Sequence, residues 1–318
     1  MKTRQAVLVE PRHFEIRDAD VAPAADEVLV KTEGCGMCTS ELWGWLGIKG
    51  RYPMGMGHEG YGEVVEVGRD VERVRVGDRV TGLGLRSYAD YFTQSEGYTM
   101  VLRPDLGQRH VMGEPMYCVN NVVRAACPTI GDCLVLVGLG PMGQWALQAL
   151  ASPTLLAAVA VDIEDAKLEA ATLSGATHTI NPTREDPVER LAEITGGRMA
   201  DVIVEGSGVQ AGVKTAIKLL GRGCPRLVIM SSFKHPVEVD ILKLCGVAAE
   251  VIHAHPGIRR TIEDRVDHCR RTEVLINHGV FETDRLVTHQ YPLEEVQPAF
   301  ESFASERPPG YVKGLIVP

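Results

Sequence analysis

The stretch CLVLVGLGPMGQWALQAL, residues 133–150, contains the pattern that decides the fold. Its first residues are apolar and predict a buried strand, and GLGPMG at 138–143 has the GxGxxG spacing of a turn that leads into a helix. Gly138 permits the tight turn, Gly140 allows the backbone to approach a pyrophosphate, and Gly143 lets the helix pack closely on the strand. The stretch therefore predicts a dinucleotide-binding turn.

Residues on either side of this turn support the same interpretation. Pro141 and Met142 open the predicted helix, whose free N-terminal N–H groups, from Met142 onward, face phosphate oxygens. The next predicted strand ends at Asp162, whose carboxylate accepts hydrogen bonds from ribose hydroxyls and repels a 2′-phosphate. We therefore expect NAD rather than NADP, with Ile163 included among the cofactor-binding residues. Lys167, at the start of the next helix, either reaches the same ribose or is a solvated surface lysine.

The pattern extends over residues 123–255, where apolar strand-like runs alternate with stretches of helical periodicity. The strand-like runs are CLVLVG, LAAVAVD, ADVIVEGSG, PRLVIMSS and AEVIHAH, and the helical ones are PMGQWALQALA, EDAKLEAATLSG, PVERLAEITGG and GVKTAIKLL. This alternation predicts a doubly wound parallel sheet of the Rossmann type, and hence an α/β fold class. Ser207 and Ser231 follow two of the strands, and they either contact the cofactor or cap a following helix.

The rest of the chain has a different pattern of residues. Residues 1–122 contain short β-rich runs (EVLVKTEG, YGEVVEVG, DRVTGLG) broken by Gly, Pro and Asp, which predicts an irregular β-barrel. Residues 256–318 contain one charged helix-like segment and two strand candidates, too little for a third domain. We therefore expect one domain from 1–122 with 256–318 and a dinucleotide-binding domain from 123–255.

Composition excludes several classes of function. The chain has 318 residues, 45% of them hydrophobic, with 33 Lys and Arg against 42 Asp and Glu and a formal charge of −9. This balance argues against nucleic acid as a partner. The absence of a long apolar run argues against a membrane span or a signal peptide, so we expect a cytoplasmic protein. The cysteines in runs such as DCLVLVG and ILKLCG are expected to be reduced core residues.

The segments GCGMC and GMGHEG place two cysteines and a His–Glu pair in glycine-rich turns. Cys35 and Cys38 have CxxC spacing, which suits a redox dithiol, half of a zinc knuckle, or one functional cysteine beside a bystander. The pair follows a β-type run, and the sequence has no second Cys/His pair at knuckle spacing. One thiolate with the imidazole of His58 and the carboxylate of Glu59 makes an open zinc site with a position left for substrate.

Several ordered motifs together carry a family resemblance: CTSEL, GHEGYGEVVEVG, GDRV at 77–80, GEP at 113–115, and GLGPMG with its distal Asp. They resemble the zinc-dependent medium-chain dehydrogenase/reductases of the alcohol dehydrogenase superfamily, most closely the polyol, sorbitol-like branch. The resemblance covers nearly the whole chain. It implies a GroES-like irregular β-barrel catalytic domain beside the Rossmann domain, and it makes Cys35 a core bystander.

The resemblance also implies the zinc ligands. Cys38 matches the catalytic zinc cysteine of the family, His58 its zinc histidine, and Glu59 the adjacent carboxylate that ligates zinc or exchanges with water. The next ligand varies in this family between cysteine and an acid, and the matching stretch here is MGEPMYC. Glu114 is the expected ligand in that stretch, directly or through a water, and Cys118 is the alternative.

Further residues take roles by the same resemblance. Ser40 matches the hydroxyl that touches the substrate oxygen and passes its proton on, and Trp43 stands where many relatives carry a relay histidine. Glu41 resembles the acid that accepts a hydrogen bond from the zinc histidine and fixes its tautomer. Trp43 and Trp45 either line the substrate pocket or belong to the core. Lys313 resembles a basic residue that contacts the pyrophosphate, with a solvated lysine as the alternative.

No cysteine lies between Val80 and Phe92, where relatives with a structural zinc carry a cluster of cysteines. We therefore expect one catalytic zinc per chain and no structural zinc. The expected function is hydride transfer between NAD(H) and a secondary alcohol or ketone, with a polyol, cyclitol or sugar-derived substrate. The alternatives are a zinc-free NADPH quinone or enone reductase of the same superfamily and a non-catalytic NAD-binding relative. The resemblance also implies a homodimer or homotetramer.

Overall fold

The structure is a computed structural model that describes residues 1–254 and 261–318. The chain divides into two compact units, one of Met1–Tyr117 with Arg259–Pro318 and one of Cys118–Ile258. The first unit is built mainly from antiparallel strands, and the second contains a parallel sheet with helices between its strands. These architectures confirm the predicted α/β fold class.

The strands of the described residues are β1 Lys2–Glu10, β2 His13–Asp20, β3 Glu27–Gly36, β4 Met54–Gly55, β5 Gly60–Val67, β6 Arg79–Gly82, β7 Tyr91–Ser95, β8 Thr99–Val101, β9 Cys133–Val137, β10 Ala157–Val161, β11 His178–Ile180, β12 Val202–Glu205, β13 Arg226–Ile229, β14 Glu250–His253, β15 Val287–Pro292 and β16 Lys313–Val317. The α-helices are α1 Leu42–Trp45, α2 Gly113–Ala126, α3 Pro141–Leu150, α4 Asp165–Leu173, α5 Pro187–Thr195, α6 Gln210–Leu219, α7 Ile241–Gly246, α8 Ile262–Asn277 and α9 Val296–Ala304.

The first unit contains a small sheet of order β2-β1-β4 and a larger sheet of order β15-β16-β3-β5-β6-β8, with β7 paired to β3. Strand β3 is its centre, because it pairs antiparallel with β5, β7 and β16. Val28 and Val30 of β3 are fully buried and pack in one core cluster with Val64, Val80 and Phe92 from neighbouring strands. Strand β5 is buried over its first three residues and exposes Glu63 and Glu66 beyond them, so only its later part has a polar face.

The second unit is a parallel sheet of order β11-β10-β9-β12-β13-β14. Every residue of β9 and of β10 is buried, as expected where helices cover both faces of a parallel sheet. Strands β10 and β11 are added on one side of β9, and the chain then returns to place β12 on the other side of β9. The strand order therefore reverses between β9 and β12, which are neighbours in the sheet but far apart in sequence. This reversal is the topological switch point at which dinucleotides bind in doubly wound sheets.

Most predicted elements of the second unit are present, and two were not predicted. The short strand β11 was not predicted from the sequence, because three residues are too few to show periodicity. The run ILKLCG forms helix α7, and the expectation that its cysteine is a core residue is wrong, since Cys245 is exposed. Cys133 in β9 is buried, as expected. Among residues 1–254 and 261–318, no helix is long and apolar enough to cross a membrane.

Candidate metal and nucleotide sites

The pairing of β3 with β5 brings the two halves of the candidate metal site together. Cys35, near the end of β3, lies opposite Gly60, the first residue of β5, in an antiparallel register. The residues just after β3 and just before β5 therefore meet at one end of the sheet. As a result, one ligand atom each from Cys38, His58 and Glu59 lies within 4.8 Å of the others. We call these three residues the metal group.

A glycine makes room for the carboxylate of this group. A Cβ atom placed on Gly36 would lie 2.0 Å from Glu59 Oε2, so any larger residue there would displace the carboxylate. Cys38 is the N-cap residue of the 3-10 turn Thr39–Glu41, which directly follows β3. One thiol, one imidazole and one carboxylate are donors that zinc prefers, so the residues present fit a zinc ion.

Glu41 positions the metal group through hydrogen bonds from Cys38 and His58. Its Oε1 accepts hydrogen bonds from the backbone N–H of Gly57 at 2.9 Å and from His58 Nδ1 at 3.1 Å. Its Oε2 accepts from the backbone N–H of Cys38 at 3.1 Å and from the hydroxyl of Tyr88 at 2.5 Å. The expected contact between Glu41 and His58 is present, and because it engages Nδ1 of the imidazole, Nε2 is the nitrogen that would bind a metal.

The charge state of Glu41 follows from these contacts. Burial alone raises the pKa of a carboxyl group, but the attraction of His58 and the hydrogen bonds from His58, Tyr88 and the Cys38 backbone outweigh it. The pKa of Glu41 is therefore lowered, and Glu41 is a carboxylate. Tyr88 was not predicted, because its segment carries no motif and it meets Glu41 only in the folded chain.

Lys313 forms a buried ion pair with the metal group. Its Nζ lies 2.5 Å from Glu59 Oε2 and donates to the carbonyl of Met37 at 3.0 Å. Burial lowers the pKa of a lysine, but attraction to Glu59 outweighs burial, and the pKa of Lys313 is raised. Lys313 is thus not a solvated lysine, and the cation sets the position of the Glu59 carboxylate.

The other residues predicted around the metal group have different environments. The hydroxyl of Ser40 donates to Cys38 Sγ at 3.3 Å, so the serine stands directly beside the thiol. Cys35 is fully buried in the core, and burial raises the pKa of its thiol, which agrees with a bystander. Glu114 lies in the first turn of α2 and is not a member of the metal group.

Trp43 and Trp45, each expected either to line a pocket or to belong to the core, have different environments. Trp45 belongs to the core, where it is 2% exposed and stacks on Phe14 with ring centroids 5.5 Å apart, so a pocket position is wrong for it. Trp43 is half-buried, and the ammonium of Lys49 lies 5.3 Å from the centre of its ring. Trp43 therefore retains a partly accessible face.

The turn after β9 has the geometry of a nucleotide cradle. Gly138 has a φ of +92°, and a Cβ there would lie 2.5 Å from the backbone nitrogen of Ser207. A Cβ on Gly143 would lie 2.2 Å from the carbonyl oxygen of Gly138. A Cβ on Gly140, by contrast, would meet no heavy atom within 4 Å, so it would fill open space next to the start of α3. These residues fit a bound pyrophosphate.

Asp162 stands beside this cradle at the end of β10. Its Oδ2 accepts from the backbone N–H of Leu139 at 2.7 Å, and its Oδ1 accepts from that of Glu164 at 3.1 Å. Ile163 is exposed at the same edge. The ammonium of Lys167 lies 2.5 Å from Glu164 Oε1, so its charge is paired locally.

Ser207 and Ser231 both donate their hydroxyls to Glu205. Ser207 Oγ also accepts from the N–H of Val209, the residue before α6, at 3.3 Å, which agrees with a capping contact. Glu205 itself was not predicted. An acid at the end of an otherwise apolar strand, in VIVEGSG, is the sequence signal that marks it.

Comparisons with known proteins agree with this geometry. A family model described as an alcohol dehydrogenase GroES-like domain matches residues 24–118, and one described as a zinc-binding dehydrogenase matches residues 141–253. The chain belongs to the zinc-type medium-chain dehydrogenases. It is an alcohol dehydrogenase-like oxidoreductase of the polyol branch, in a family that uses zinc and a pyridine nucleotide.

Individual relatives cover nearly the full chain. The chain is 27% identical to erythritol/L-threitol dehydrogenase of Mycolicibacterium smegmatis (96% of this chain, 95% of the relative) and 26% identical to sorbitol dehydrogenase of Bacillus subtilis (94% and 92%). It is 24% identical to L-threonine 3-dehydrogenase of Bacillus licheniformis (86% and 87%). A solved zinc-binding dehydrogenase of Sinorhizobium meliloti bound to NADP has the same fold, with a TM-score of 0.85, 22% identity and full coverage of both chains.

Proposed function

We propose that the chain catalyses zinc- and NAD-dependent interconversion of a secondary alcohol and its ketone, with a polyol, cyclitol or sugar-derived substrate. The observation that carries this proposal is the metal group: Cys38, His58 and Glu59 come within 4.8 Å of one another although the chain separates the cysteine from the other two. The Rossmann unit supplies the nucleotide half of the chemistry. The erythritol and sorbitol dehydrogenases among the relatives support a polyol substrate.

The site would hold one zinc ion per chain through Cys38 and His58, with Glu59 as the adjacent carboxylate and Glu114 as the further ligand, directly or through a water. When bound, zinc acts as a Lewis acid that lowers the pKa of an alcohol and favours loss of hydride from its carbon. Lys313 competes for the Glu59 carboxylate, which lies 2.5 Å from its ammonium. Glu59 would therefore be shared between zinc and Lys313, whereas Cys38 and His58 would be the ligands without a competing cation.

Ser40 receives the proton that leaves the substrate hydroxyl. Its Oγ lies 3.3 Å from Cys38 Sγ, so it would be close to a substrate oxygen bound at a metal held by that thiol. Trp43 cannot pass a proton on as a histidine would, because an indole N–H is a donor only. The proton therefore leaves either through the ribose hydroxyls and water or through another residue.

NAD is the preferred nucleotide. Asp162 presents a carboxylate at the end of β10, where the adenosine ribose lies in doubly wound sheets. Lys167, the lysine near the start of α4, is already paired with Glu164 and does not offset the repulsion of a 2′-phosphate. Binding of NADH and NADPH, measured by titration calorimetry, tests this preference. Equal affinities would contradict it.

The central experiment combines metal analysis with a cofactor-reduction assay over a panel of polyols and cyclitols. We expect one zinc per chain and NAD reduction by at least one secondary alcohol. Cys38→Ala is expected to lose both zinc and activity. Cys35→Ala is the matched control, since Cys35 is a neighbouring but fully buried thiol outside the metal group, and it should retain zinc.

Each alternative function predicts a different result in this experiment. Zinc-free protein that reduces quinones or enones with NADPH would replace the proposal with the reductase of the same superfamily. Protein that binds NAD and zinc but turns over no alcohol in the panel would indicate a non-catalytic relative. Zinc retained equally by the two cysteine variants would remove Cys38 from the ligand set.

We further propose a homodimer or homotetramer. Strand β14 is an edge of the parallel sheet among the described residues, and Val251 on it is 53% exposed. Edge strands have unpaired backbone groups that a second copy can pair. Light scattering after size-exclusion chromatography is expected to give a dimer or tetramer mass, and Val251→Lys is expected to lower it. A monomer at micromolar concentration would contradict this part of the proposal.

A further inference from the structure

The carboxylate of Glu205 connects the two loops that follow β12 and β13. Glu205 is the last residue of β12 and is fully buried. Its Oε1 accepts from the backbone N–H groups of Ser207 at 2.9 Å and Gly208 at 3.2 Å, and from the Ser207 hydroxyl. Its Oε2 accepts from the Ser231 hydroxyl. One carboxylate thus engages four donors from two loops.

The backbone of Glu205 reinforces the same connection. Its carbonyl oxygen accepts from the N–H groups of Met230 at 2.9 Å and Ser231 at 3.3 Å. The loop that Glu205 holds lies against the glycine turn, because a Cβ on Gly138 would come within 2.5 Å of the Ser207 nitrogen. A small shift of Ser207 therefore changes the shape of the nucleotide cradle beside Gly138.

These loops belong to one half of the nucleotide edge. The glycine turn and Asp162 follow β9 and β10, the half of a doubly wound sheet that takes the adenosine side and the pyrophosphate. Strands β12 and β13 lie on the other side of the switch point. In such sheets that second half takes the second mononucleotide, which in NAD is the nicotinamide side.

We infer that Glu205 is a positioning residue for the nicotinamide half of the cofactor, acting through Ser207 and Ser231. This inference rests on the proposed use of NAD. Glu205 does not touch the cofactor. It fixes the two serine-bearing loops in one arrangement. It also accepts the hydroxyl hydrogen bonds of both serines, so that the serine oxygens are left to act toward the cofactor as acceptors rather than donors.

The chemistry of the position supports a role beyond folding. Burying a carboxylate costs free energy that an apolar side chain at the end of a buried strand avoids. The four donors around Glu205 compensate this cost only while both loops keep their positions. A carboxylate at this position therefore stabilises one arrangement of the loops more than it stabilises the sheet.

The experiment compares two ligands of different length. Dissociation constants for NADH and for ADP-ribose, which lacks the nicotinamide, are measured by titration calorimetry with wild type, Glu205→Gln, Ser231→Ala and the double variant. Gln keeps the size of Glu but turns one acceptor into a donor that faces donors. Ser174→Ala is the matched control, because Ser174 is also a buried serine of the same unit, at the end of α4.

We expect Glu205→Gln to weaken NADH binding at least tenfold while ADP-ribose binding and zinc content stay within twofold of wild type. Ser231→Ala is expected to weaken NADH binding severalfold. The double variant is expected to bind NADH no more weakly than Glu205→Gln, because both substitutions break the same Ser231–Glu205 contact. Ser174→Ala is expected to match wild type. If Glu205→Gln does not fold, Ser231→Ala and Ser207→Ala carry the same test.

Two results would overturn the inference while leaving NAD use intact: equal weakening of NADH and ADP-ribose, which indicates a purely structural role, and unchanged binding of both. Wild-type protein that binds neither ligand would refute the proposed use of NAD itself, and the inference with it.

Discussion

The hydroxyl of Tyr88 tests how the metal group is held. Tyr88 is fully buried and donates to Glu41 Oε2 at 2.5 Å, and the other oxygen of that carboxylate accepts from His58 Nδ1 at 3.1 Å. Tyr88→Phe is expected to weaken zinc binding about tenfold. Without the phenol, Glu41 loses one of its four donors and is freer to turn away from the imidazole that it orients.

The magnitude follows from the hydrogen bonds of Glu41. A hydrogen bond to a charged group contributes about 1.5–3 kcal/mol. The phenol reaches His58 only through Glu41, so part of this loss is transmitted; about 1.4 kcal/mol corresponds to one factor of ten in a binding constant. Glu41→Gln also removes the charge that faces His58, and we expect it to cost about 100-fold, the upper end for residues that orient metal ligands.

Zinc affinity is measured by competition with a chromogenic chelator at constant pH, and the unfolding temperature of each variant is recorded alongside. Tyr52→Phe is the matched control, because the Tyr52 hydroxyl also donates at 2.5 Å, but to the carbonyl of Gly44. We expect Tyr52→Phe to keep wild-type zinc affinity. Equal zinc affinities for Tyr88→Phe and Tyr52→Phe would refute the reasoning.

Three further perturbations give distinct expectations. Lys313→Met leaves the buried Glu59 carboxylate without its cation, so zinc-free protein should lose about 3–5 kcal/mol of unfolding free energy in urea titrations; added zinc should stabilise the variant more than wild type, and equal increments would contradict this. Burial raises the pKa of Asp90, but hydrogen bonds from Arg4 outweigh it and lower the pKa. The folded carboxylate thus stabilises the protein above its unfolded pKa, and this contribution is lost as the pH falls through the lower folded pKa. Asp90→Asn should cost about 1–2 kcal/mol at pH 7, with a difference from wild type that shrinks below about pH 4; a pH-independent difference would exclude the ion pair as its source. Gly140→Ala meets no atom within 4 Å and has an ordinary φ of −65°, so its melting temperature should match wild type. Its NADH affinity should fall at least tenfold, because the methyl group occupies the pyrophosphate cradle; unchanged affinity would place the nucleotide elsewhere.

Much of the second unit was predictable because its signals are local. Apolar runs such as that of β9 are buried on both faces whatever the partner strand is, and the glycines of 138–143 are required by turn geometry within a few residues. The short strand β11 and helix α7 were missed, since each is too brief for its period to emerge.

The metal group was predictable in part, through the motifs around Cys38 and His58. Their approach depends on the antiparallel register of β3 and β5, which the two glycine-rich segments only suggest. The contact of Glu41 with His58 was expected, but its other three donors, the Cys38 and Gly57 backbone N–H groups and the Tyr88 hydroxyl, were not, because no motif marks those contacts.

The amino-acid order alone determines the longer strands and helices of the second unit, the position of the glycine turn and the residue types able to bind a metal, because those properties depend on neighbours along the chain. Folding in three dimensions adds the partners of buried charges. Lys313 reaches Glu59 because β16 pairs with β3, and the hydroxyls of Ser207 and Ser231 meet on Glu205 because β12 and β13 are adjacent. The contacts of Lys313 with Glu59 and of Ser231 with Glu205 join residues far apart in sequence, and a buried charge is stabilised by whichever donor the fold brings to it.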